Sequence, residues 1–439
     1  MNISPQRRNE IVDALRRGTV PSRSLDAFAI GVDRFQAAID AELDQVAVGQ
    51  GMFKAVRGEY GSGKTFFGRW LQERARQRGF AVSEIQISET ETPLHRLETV
   101  YRRLVERLST ADVPMGALRS VIDGWFFTLE EDVIAEGKVA ADDSVALLAR
   151  TNELLEQRLG AITRQAPSFA AALRGYRTAL AAGDTAKADG LVAWLGGEPN
   201  VAASVKLDAG IKGEVDHFTA LSFLQGLLTL LRDSGRPGLL VVLDEVETLQ
   251  RVRGDIREKG LNALRQLIDE LQGGRFPGLY LLITGTPAFF DGPQGAQRLP
   301  PLAQRLHVDF GADSKFDNPR AVQIRLAAFT IESLVEVGMK VRDLYAAHAE
   351  HAERVRTLAN DDYVRTLASA ITGELGGKVG IVPRIFLKKL VGEVLDRIDL
   401  YAEFDPRRDY ALTVAQSELT AAERAAKGGT NIDELELPN

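Results

Sequence analysis

The chain has 439 residues, is 45% hydrophobic and 26% charged, and carries a formal net charge of −7. This length exceeds one ordinary hydrophobic core, so we expect about two or three domains. The absence of cysteine excludes disulfides, thiol catalysis and cysteine-ligated zinc or iron–sulfur sites. The negative charge argues against a protein that mainly coats nucleic acid, although DNA binding through a local basic patch stays compatible with it.

The sequence predicts neither a membrane span nor a secretory signal. No apolar run reaches the ~18 residues of a spanning helix. The start of the chain, MNISPQRR, lacks the apolar segment of a signal peptide. We therefore expect a cytoplasmic protein with no membrane partner.

In chain order, hydrophobic periodicity predicts helices at 8–17 and 33–46, then a short strand at 51–57 and a helix at 65–78. The segment between that strand and that helix matches the G-x-x-x-x-G-K-[ST] phosphate-binding loop at every constrained position. Its residues are Gly58, Glu59, Tyr60, Gly61, Ser62, Gly63, Lys64 and Thr65. A loop that joins a strand to a helix is the context that this motif requires.

This loop predicts a nucleoside triphosphate and Mg²⁺ as cofactors. Glycine lacks Cβ, so the backbone can approach phosphate oxygens closely, and the N–H groups at the start of the helix favour an anion. We expect Lys64 to contact the β- and γ-phosphates and the Thr65 hydroxyl to bind Mg²⁺. Residues 28–31 (Phe-Ala-Ile-Gly) are the candidate cover for the base.

Beyond the loop, a strand is predicted at 81–87 and a helix at 94–108. Residues 114–215 then carry helical patterns with few strand signals, which predicts a helical insertion with Trp125 and Trp194 as core anchors. Two interpretations of the insertion stay open. It is either a module that contacts a partner or substrate, or an elaboration that stabilises the nucleotide-binding domain.

A second motif follows the insertion. A helix at 218–231 leads into five apolar residues at 239–243, the pattern of a parallel strand buried on both faces. Asp244 and Glu245 come directly after this strand, at the carboxyl end where open α/β sheets bind ligands. We expect Asp244 to hold Mg²⁺ through water and Glu245 to polarise the attacking water as a general base.

A further helix at 259–271 and a buried strand at 278–283 come next. A polar residue at the end of the strand beyond the paired acids is the sensor arrangement of AAA+ proteins. Thr284 takes this place and is expected to orient the attacking water or read the γ-phosphate, with Thr286 as the alternative.

Arginines that could complete the site lie in the last third of the chain. Helices at 331–347, 362–372 and 383–398 predict a small helical lid, and Arg384 in the first turn of the last helix matches the second sensor position. An arginine supplied by a neighbouring subunit can raise hydrolysis by ~10³–10⁵. Arg305 is the first candidate for it and Arg298 the second, and this role implies a homo-oligomer.

These elements predict an α/β fold: the parallel-sheet core of a P-loop NTPase of the AAA+ type, with a helical insertion and a C-terminal helical lid. The predicted divisions are an N-terminal helical segment at 1–50, core segments at 51–113 and 216–317, the insertion at 114–215, the lid at 318–415 and a mobile tail at 416–439.

The chain resembles the BrxD-like ATP-binding proteins of bacterial BREX phage-defence systems, and its core layout is similar to the origin-recognition branch of AAA+ ATPases. The resemblance covers most of the chain up to the end of the lid helices. The segments that carry it are 243–251 (LDEVETLQR), 284–293 (TGTPAFFDGP), 299–306, 317–324 and 376–384.

The resemblance implies ATP rather than GTP as the nucleotide, and partners that are helicase-like, a DNA methyltransferase and phosphatase-like. Origin-recognition relatives usually carry a DNA-binding winged helix after the lid, and no such domain can be placed here. We therefore hold three hypotheses: a Mg²⁺-dependent ATPase that remodels a protein–DNA complex, a nucleotide-gated switch with slow or no hydrolysis, and a DNA-loading initiator. Glu245 favours the first of them, since a switch does not need a water-activating acid.

Overall fold

The computed structural model describes residues 3–137, 143–311, 313–374 and 383–419, and a parallel sheet lies at its centre. The strands are β1 (Met52–Arg57), β2 (Ala81–Gln86), β3 (Leu239–Asp244), β4 (Leu279–Gly285) and β5 (Gln323–Arg325). Their order across the sheet is β2-β3-β4-β1-β5. The four strands predicted from the sequence correspond to β1–β4. Strand β5 was not predicted, because a strand of three residues carries no periodicity.

Helices account for most of the other described residues. They are α1 (Pro5–Arg16), α2 (Asp33–Ala47), α3 (Lys64–Gln77), α4 (Leu97–Glu106), α5 (Leu118–Ala135), α6 (Ser144–Gln165), α7 (Pro167–Ala181), α8 (Thr185–Leu195), α9 (Ala203–Asp208), α10 (His217–Asp233), α11 (Gly254–Gln272), α12 (Pro287–Asp291), α13 (Pro300–Leu306), α14 (Ile331–Ala346), α15 (Ala352–Leu358), α16 (Asp361–Glu374), α17 (Pro383–Lys389), α18 (Asp396–Leu400) and α19 (Pro406–Asp409). Within the described ranges, no helix has the length and apolarity needed to cross a bilayer.

Strands β3 and β4 lie inside the sheet and are buried along their whole length. Successive side chains of a strand point to opposite faces, and here they enter two hydrophobic clusters. Val241 and Leu281 pack on the face that α4–α8, α10 and α11 cover. Val242 and Leu282 pack on the face that α1–α3 and the C-terminal helices cover. Helices therefore cover both faces of the sheet, as is usual for parallel strands.

The segment predicted as a helical insertion forms α5–α9, and its two tryptophans are buried. Trp125 is 0% and Trp194 is 2% exposed. The indole N–H of Trp125 donates a hydrogen bond to Asp233 Oδ2 of α10 at 2.6 Å, and that of Trp194 donates to the Gly213 carbonyl at 3.2 Å. The insertion thus shares its core with α10, the helix that leads into β3.

The C-terminal helices share a buried core with the first helix of the chain. Ile11 and Leu15 of α1 lie in the same cluster as Phe386 of α17, and Arg16 Nη2 donates to Asp396 Oδ1 of α18 at 2.8 Å. The single helix predicted at 383–398 contains a π-helical turn that joins α17 to α18. Two predicted features lie partly outside the described residues. They are the segment 376–384 that carries the resemblance, of which 376–382 are not described, and the predicted mobile tail, which is not described from residue 420 onward.

A buried ionic network connects the sheet to the segment that leads into β5. Lys54 of β1 is 1% exposed, and its Nζ lies 2.6 Å from Glu42 Oε1 of α2. The same ammonium donates to the Pro319 carbonyl at 2.9 Å, while Glu42 accepts a hydrogen bond from the Tyr280 hydroxyl of β4 at 2.5 Å. Burial lowers the pKa of Lys54, and Glu42 opposes this shift.

We predict that Lys54→Met destabilises the fold by about 3–5 kcal/mol, because it leaves the Glu42 carboxylate buried without its cation. Urea denaturation measures the loss. The matched control is Lys315→Met, since Lys315 is 68% exposed and pairs with Asp313 at 3.0 Å. Exposed pairs contribute only about 0–1 kcal/mol. Equal losses in the two variants would contradict a structural role for the buried network.

Candidate nucleotide-binding site

The predicted phosphate-binding loop joins β1 to α3, as the motif requires. Gly61 and Gly63 have φ of 78° and 93°, left-handed values that glycine adopts without a steric penalty. A Cβ at Gly58 would lie 2.2 Å from Ser62 Oγ, so the loop closes on itself too tightly for any side chain there. The Gly58 N–H donates to the Gly285 carbonyl at 3.1 Å, which ties the loop to the end of β4.

A cavity of about 590 Å³ opens above this loop, within the ~300–1,000 Å³ range of small-molecule sites. Its polar end consists of the loop together with Asp244, Glu245 and Glu247. Its apolar end is lined by Phe28, Ile30, Val32, Leu326, Phe329, Val337 and Leu387. The segment predicted to cover the base thus contributes Phe28 and Ile30 to the apolar lining of the cavity.

The Asp244 carboxylate connects the two predicted motifs. Asp244 Oδ2 accepts a hydrogen bond from Thr65 Oγ1 of α3 at 2.9 Å, and Oδ1 accepts one from Thr284 Oγ1 of β4. The same Thr284 hydroxyl accepts a hydrogen bond from the Glu245 N–H at 3.3 Å. Because β4 lies between β1 and β3, Thr284 sits between the loop and the paired acids. Its hydroxyl donates to the Asp244 carboxylate and accepts from the backbone N–H of Glu245.

Glu245 has an unusual backbone conformation. Its φ of 61° and ψ of 44° are left-handed, a region that costs energy for a residue with a side chain and that is enriched at functional sites. Glu245 Oε2 accepts a hydrogen bond from Gln86 Nε2 at 2.9 Å. Gln86 is the last residue of β2 and is paired in register with Asp244. Gln86 was not among the residues predicted from the sequence, because its contact with Glu245 depends on which strand ends meet.

Lys64 is 8% exposed, and backbone carbonyls and a second acid surround its ammonium. Its Nζ donates to the Gly58 carbonyl at 2.8 Å and to the Glu59 carbonyl at 3.3 Å, and it lies 5.0 Å from the centre of the Tyr60 ring. Glu247 Oε1 lies 3.8 Å from Nζ. Lys64, which is predicted to contact the phosphates, therefore contacts the backbone of its own loop.

Glu247 is a second residue near the predicted site that was not selected from the sequence, and it lines the cavity. It is 3% exposed, and neither carboxylate oxygen has a hydrogen-bond partner among the described residues. Burial raises the pKa of Glu247 to about 7, although the Lys64 ammonium acts in the opposite direction. The only signal for it in the sequence was one more acid two residues after the paired acids, where a solvated carboxylate is the ordinary expectation.

The arginines and the second threonine that were predicted for the site lie in different parts of the structure. Arg384 of α17 lines the cavity, and its Nη2 donates to the Glu418 carbonyl at 2.7 Å. Arg305 of α13 lies outside the cavity lining and pairs with Asp269 of α11. Arg298 is exposed. Thr286, the alternative sensor, caps α12 by accepting a hydrogen bond from the Phe289 N–H at 3.4 Å.

The oxygen atoms around Asp244 suit a magnesium ion. Mg²⁺ prefers oxygen ligands and is usually held by one or two carboxylates, waters and the phosphates of its substrate. The Thr65 hydroxyl and the Asp244 carboxylate lie 2.9 Å apart, and both border the phosphate end of the cavity. The donor set therefore fits Mg²⁺ bound together with a nucleotide.

A parallel sheet with a phosphate-binding loop, and paired acids two strands away, defines a P-loop nucleotide-binding protein. A protein-family model described as the BREX system ATP-binding protein BrxC/D matches residues 3–414. The chain therefore belongs to this family, which confirms the resemblance and the predicted fold class. No curated protein and no solved structure matched the chain.

We predict that Glu247 makes the stability of the protein fall as the pH rises. Its pKa is about 7 in the folded protein and 4.5 as a free side chain, so the folded state holds a proton in this window that the unfolded chain releases. Stability is therefore greatest below this window and decreases as pH rises through it, by roughly 3 kcal/mol. Urea unfolding near pH 5 and pH 8 measures this decrease.

The control for that measurement is Glu247→Gln, which cannot titrate. Its stability should change less between the two pH values than that of the wild type, and the difference isolates Glu247 from every other titrating group. Identical pH dependence in the two proteins would contradict the raised pKa.

Proposed function

We propose that the protein is a Mg²⁺-dependent ATPase of a bacterial phage-defence system, which couples ATP binding and hydrolysis to the remodelling of a protein–DNA complex. One observation carries the proposal: Thr65, Asp244 and Thr284 are hydrogen-bonded together, and the Glu245 backbone N–H donates to the same Thr284 hydroxyl. Membership of a family of BREX ATP-binding proteins supports the nucleotide and the system. Binding alone does not require Glu245, so this residue favours hydrolysis.

The chain's own residues would position the phosphates. The loop backbone and the N-terminus of α3 offer N–H groups to the phosphate oxygens, and Lys64 contacts the β- and γ-phosphates. Thr65 and Asp244 hold Mg²⁺, which neutralises charge on the phosphates when it is bound. The base occupies the apolar end of the cavity, beside Phe28 and Ile30.

The catalytic step is in-line attack of water on the γ-phosphoryl group, which breaks the bond from the γ-phosphorus to the bridging oxygen and releases ADP and phosphate. Glu245 takes a proton from this water as general base, and the hydrogen bond from Gln86 holds the Glu245 carboxylate in place. Thr284 acts by fixing Asp244 and the backbone of Glu245. Arg384 reaches the phosphates from the lid, and movement of the lid converts nucleotide state into a change of domain angle.

Contacts outside the chain complete the proposed cycle. Arg305 would be supplied to the site of a neighbouring subunit, which requires a homo-oligomer and release from Asp269. The partners implied by the family resemblance are helicase-like, methyltransferase and phosphatase-like proteins in the cytoplasm. DNA held by this chain alone would be retained in a strongly salt-dependent manner, and such retention would favour a DNA-loading initiator instead.

We predict that Glu245→Gln lowers steady-state ATP hydrolysis by about 10²–10⁴-fold, the contribution of a general base, while ATP binding is preserved. Phosphate release in the presence of Mg²⁺ measures turnover, and calorimetric titration of ATP serves as the control for binding. Tight ATP binding by the wild type without turnover, in every assembly state, would overturn the ATPase and leave a nucleotide-gated switch.

A further inference from the structure

The environment of Glu247 differs from that of the other two acids at the phosphate end of the cavity. Asp244 and Glu245 both accept hydrogen bonds, whereas neither Glu247 oxygen has a hydrogen-bond partner among the described residues, and the Lys64 ammonium lies 3.8 Å from Oε1. It lies in the short 3₁₀ turn Val246–Gln250, directly after the left-handed Glu245, and its side chain enters the protein interior. Glu247 is thus a buried carboxylate that forms an ion pair with Lys64.

That contact competes with a phosphate. A lysine ammonium has three N–H donors, and two of those of Lys64 go to the Gly58 and Glu59 carbonyls. The remaining side of the ammonium is within 3.8 Å of Glu247 Oε1. A phosphate that binds at the loop needs the same ammonium, so the Glu247 carboxylate and the phosphate oxygens share one cation.

We propose that Glu247 is a positioning residue for Lys64, whose carboxylate draws the ammonium away from the phosphates and thereby weakens nucleotide binding and speeds nucleotide release. The inference rests on the nucleotide binding of the proposed function and is independent of hydrolysis. Loss of the negative charge at Glu247 frees Lys64 for the phosphates. The gain should be larger for a triphosphate than for a diphosphate, because the triphosphate carries the greater negative charge.

A role of Glu247 as general base is disfavoured by its position. Its side chain is almost fully buried, and Lys64 lies against it, whereas Glu245 is partly exposed. The charged groups that act on Glu247 are Lys64 of α3 and the two acids at the end of β3, Asp244 and Glu245. Its effect on the nucleotide is therefore expected to pass through Lys64.

The test compares the binding of a non-hydrolysable ATP analogue and of ADP, both with Mg²⁺, by wild type and Glu247→Gln. Near pH 8, the variant should bind the analogue on the order of tenfold more tightly, equivalent to one ion-pair contact of ~1.4 kcal/mol, and should gain less for ADP. Near pH 6, the wild-type carboxylate is largely protonated, so the two proteins should bind alike. The comparison at each pH cancels the titration of the nucleotide itself.

Three further variants make the outcome decisive. Glu353→Gln, a change of the same kind on a side chain that is 89% exposed, should leave affinity unchanged. Glu247→Met removes the charge at similar length, so its gain should match that of Glu247→Gln. If one of the two variants folds poorly, the other still provides the comparison. In a Lys64→Gln background, Glu247→Gln should give no gain, because there is no ammonium to release.

Each result decides the inference. Equal or weaker binding of the analogue by both Glu247 variants near pH 8, or a gain that persists near pH 6 or without Lys64, would overturn it and leave Glu247 a packing residue. If the wild type binds neither nucleotide, the proposed function itself fails. If the wild type binds nucleotide but the variants gain nothing, only the inference fails.

Discussion

The bidentate hydrogen bonding of Asp244 is the interaction on which the site depends. One carboxylate at the end of β3 accepts from Thr65 at the start of α3 and from Thr284 at the end of β4. These three residues come from parts of the chain that are distant in sequence, and the parallel sheet alone brings their strand ends to one edge. The loop, the two acids and Thr284 are therefore connected by hydrogen bonds. A change that moves β3 relative to β1 would disrupt all of them together.

The two faces of the sheet are covered by different groups of helices. One face supports the insertion helices α5–α8, which pack on α4 and α10. The other face supports α1–α3 and the C-terminal helices, which provide much of the apolar end of the cavity. A nucleotide at this edge would contact the N-terminal segment, the loop and α17 at once. A bound nucleotide would therefore touch the helices on that face of the sheet directly.

The sequence predicted the parts of this protein that local patterns determine. Strands β1–β4, the phosphate-binding loop, Asp244, Glu245 and Thr284 all follow from short motifs and apolar runs. The contacts of Gln86 and Glu247 could not be predicted in this way, because they depend on which strand ends meet and on burial. Glu247 reads as an ordinary solvated acid in the sequence, and only the fold places it against Lys64. The ion pair of Arg305 with Asp269 is likewise a tertiary contact.

The most direct test of the account is calorimetric titration of ATP into the wild type and Asp244→Asn, each with Mg²⁺ and with a chelator. If Asp244 joins the metal to the loop, the wild type binds ATP more tightly with Mg²⁺ than with the chelator, and the variant loses most of this difference. Equal affinity of the wild type under both conditions, or an unchanged Mg²⁺ effect in the variant, would contradict a magnesium–nucleotide site built around Asp244.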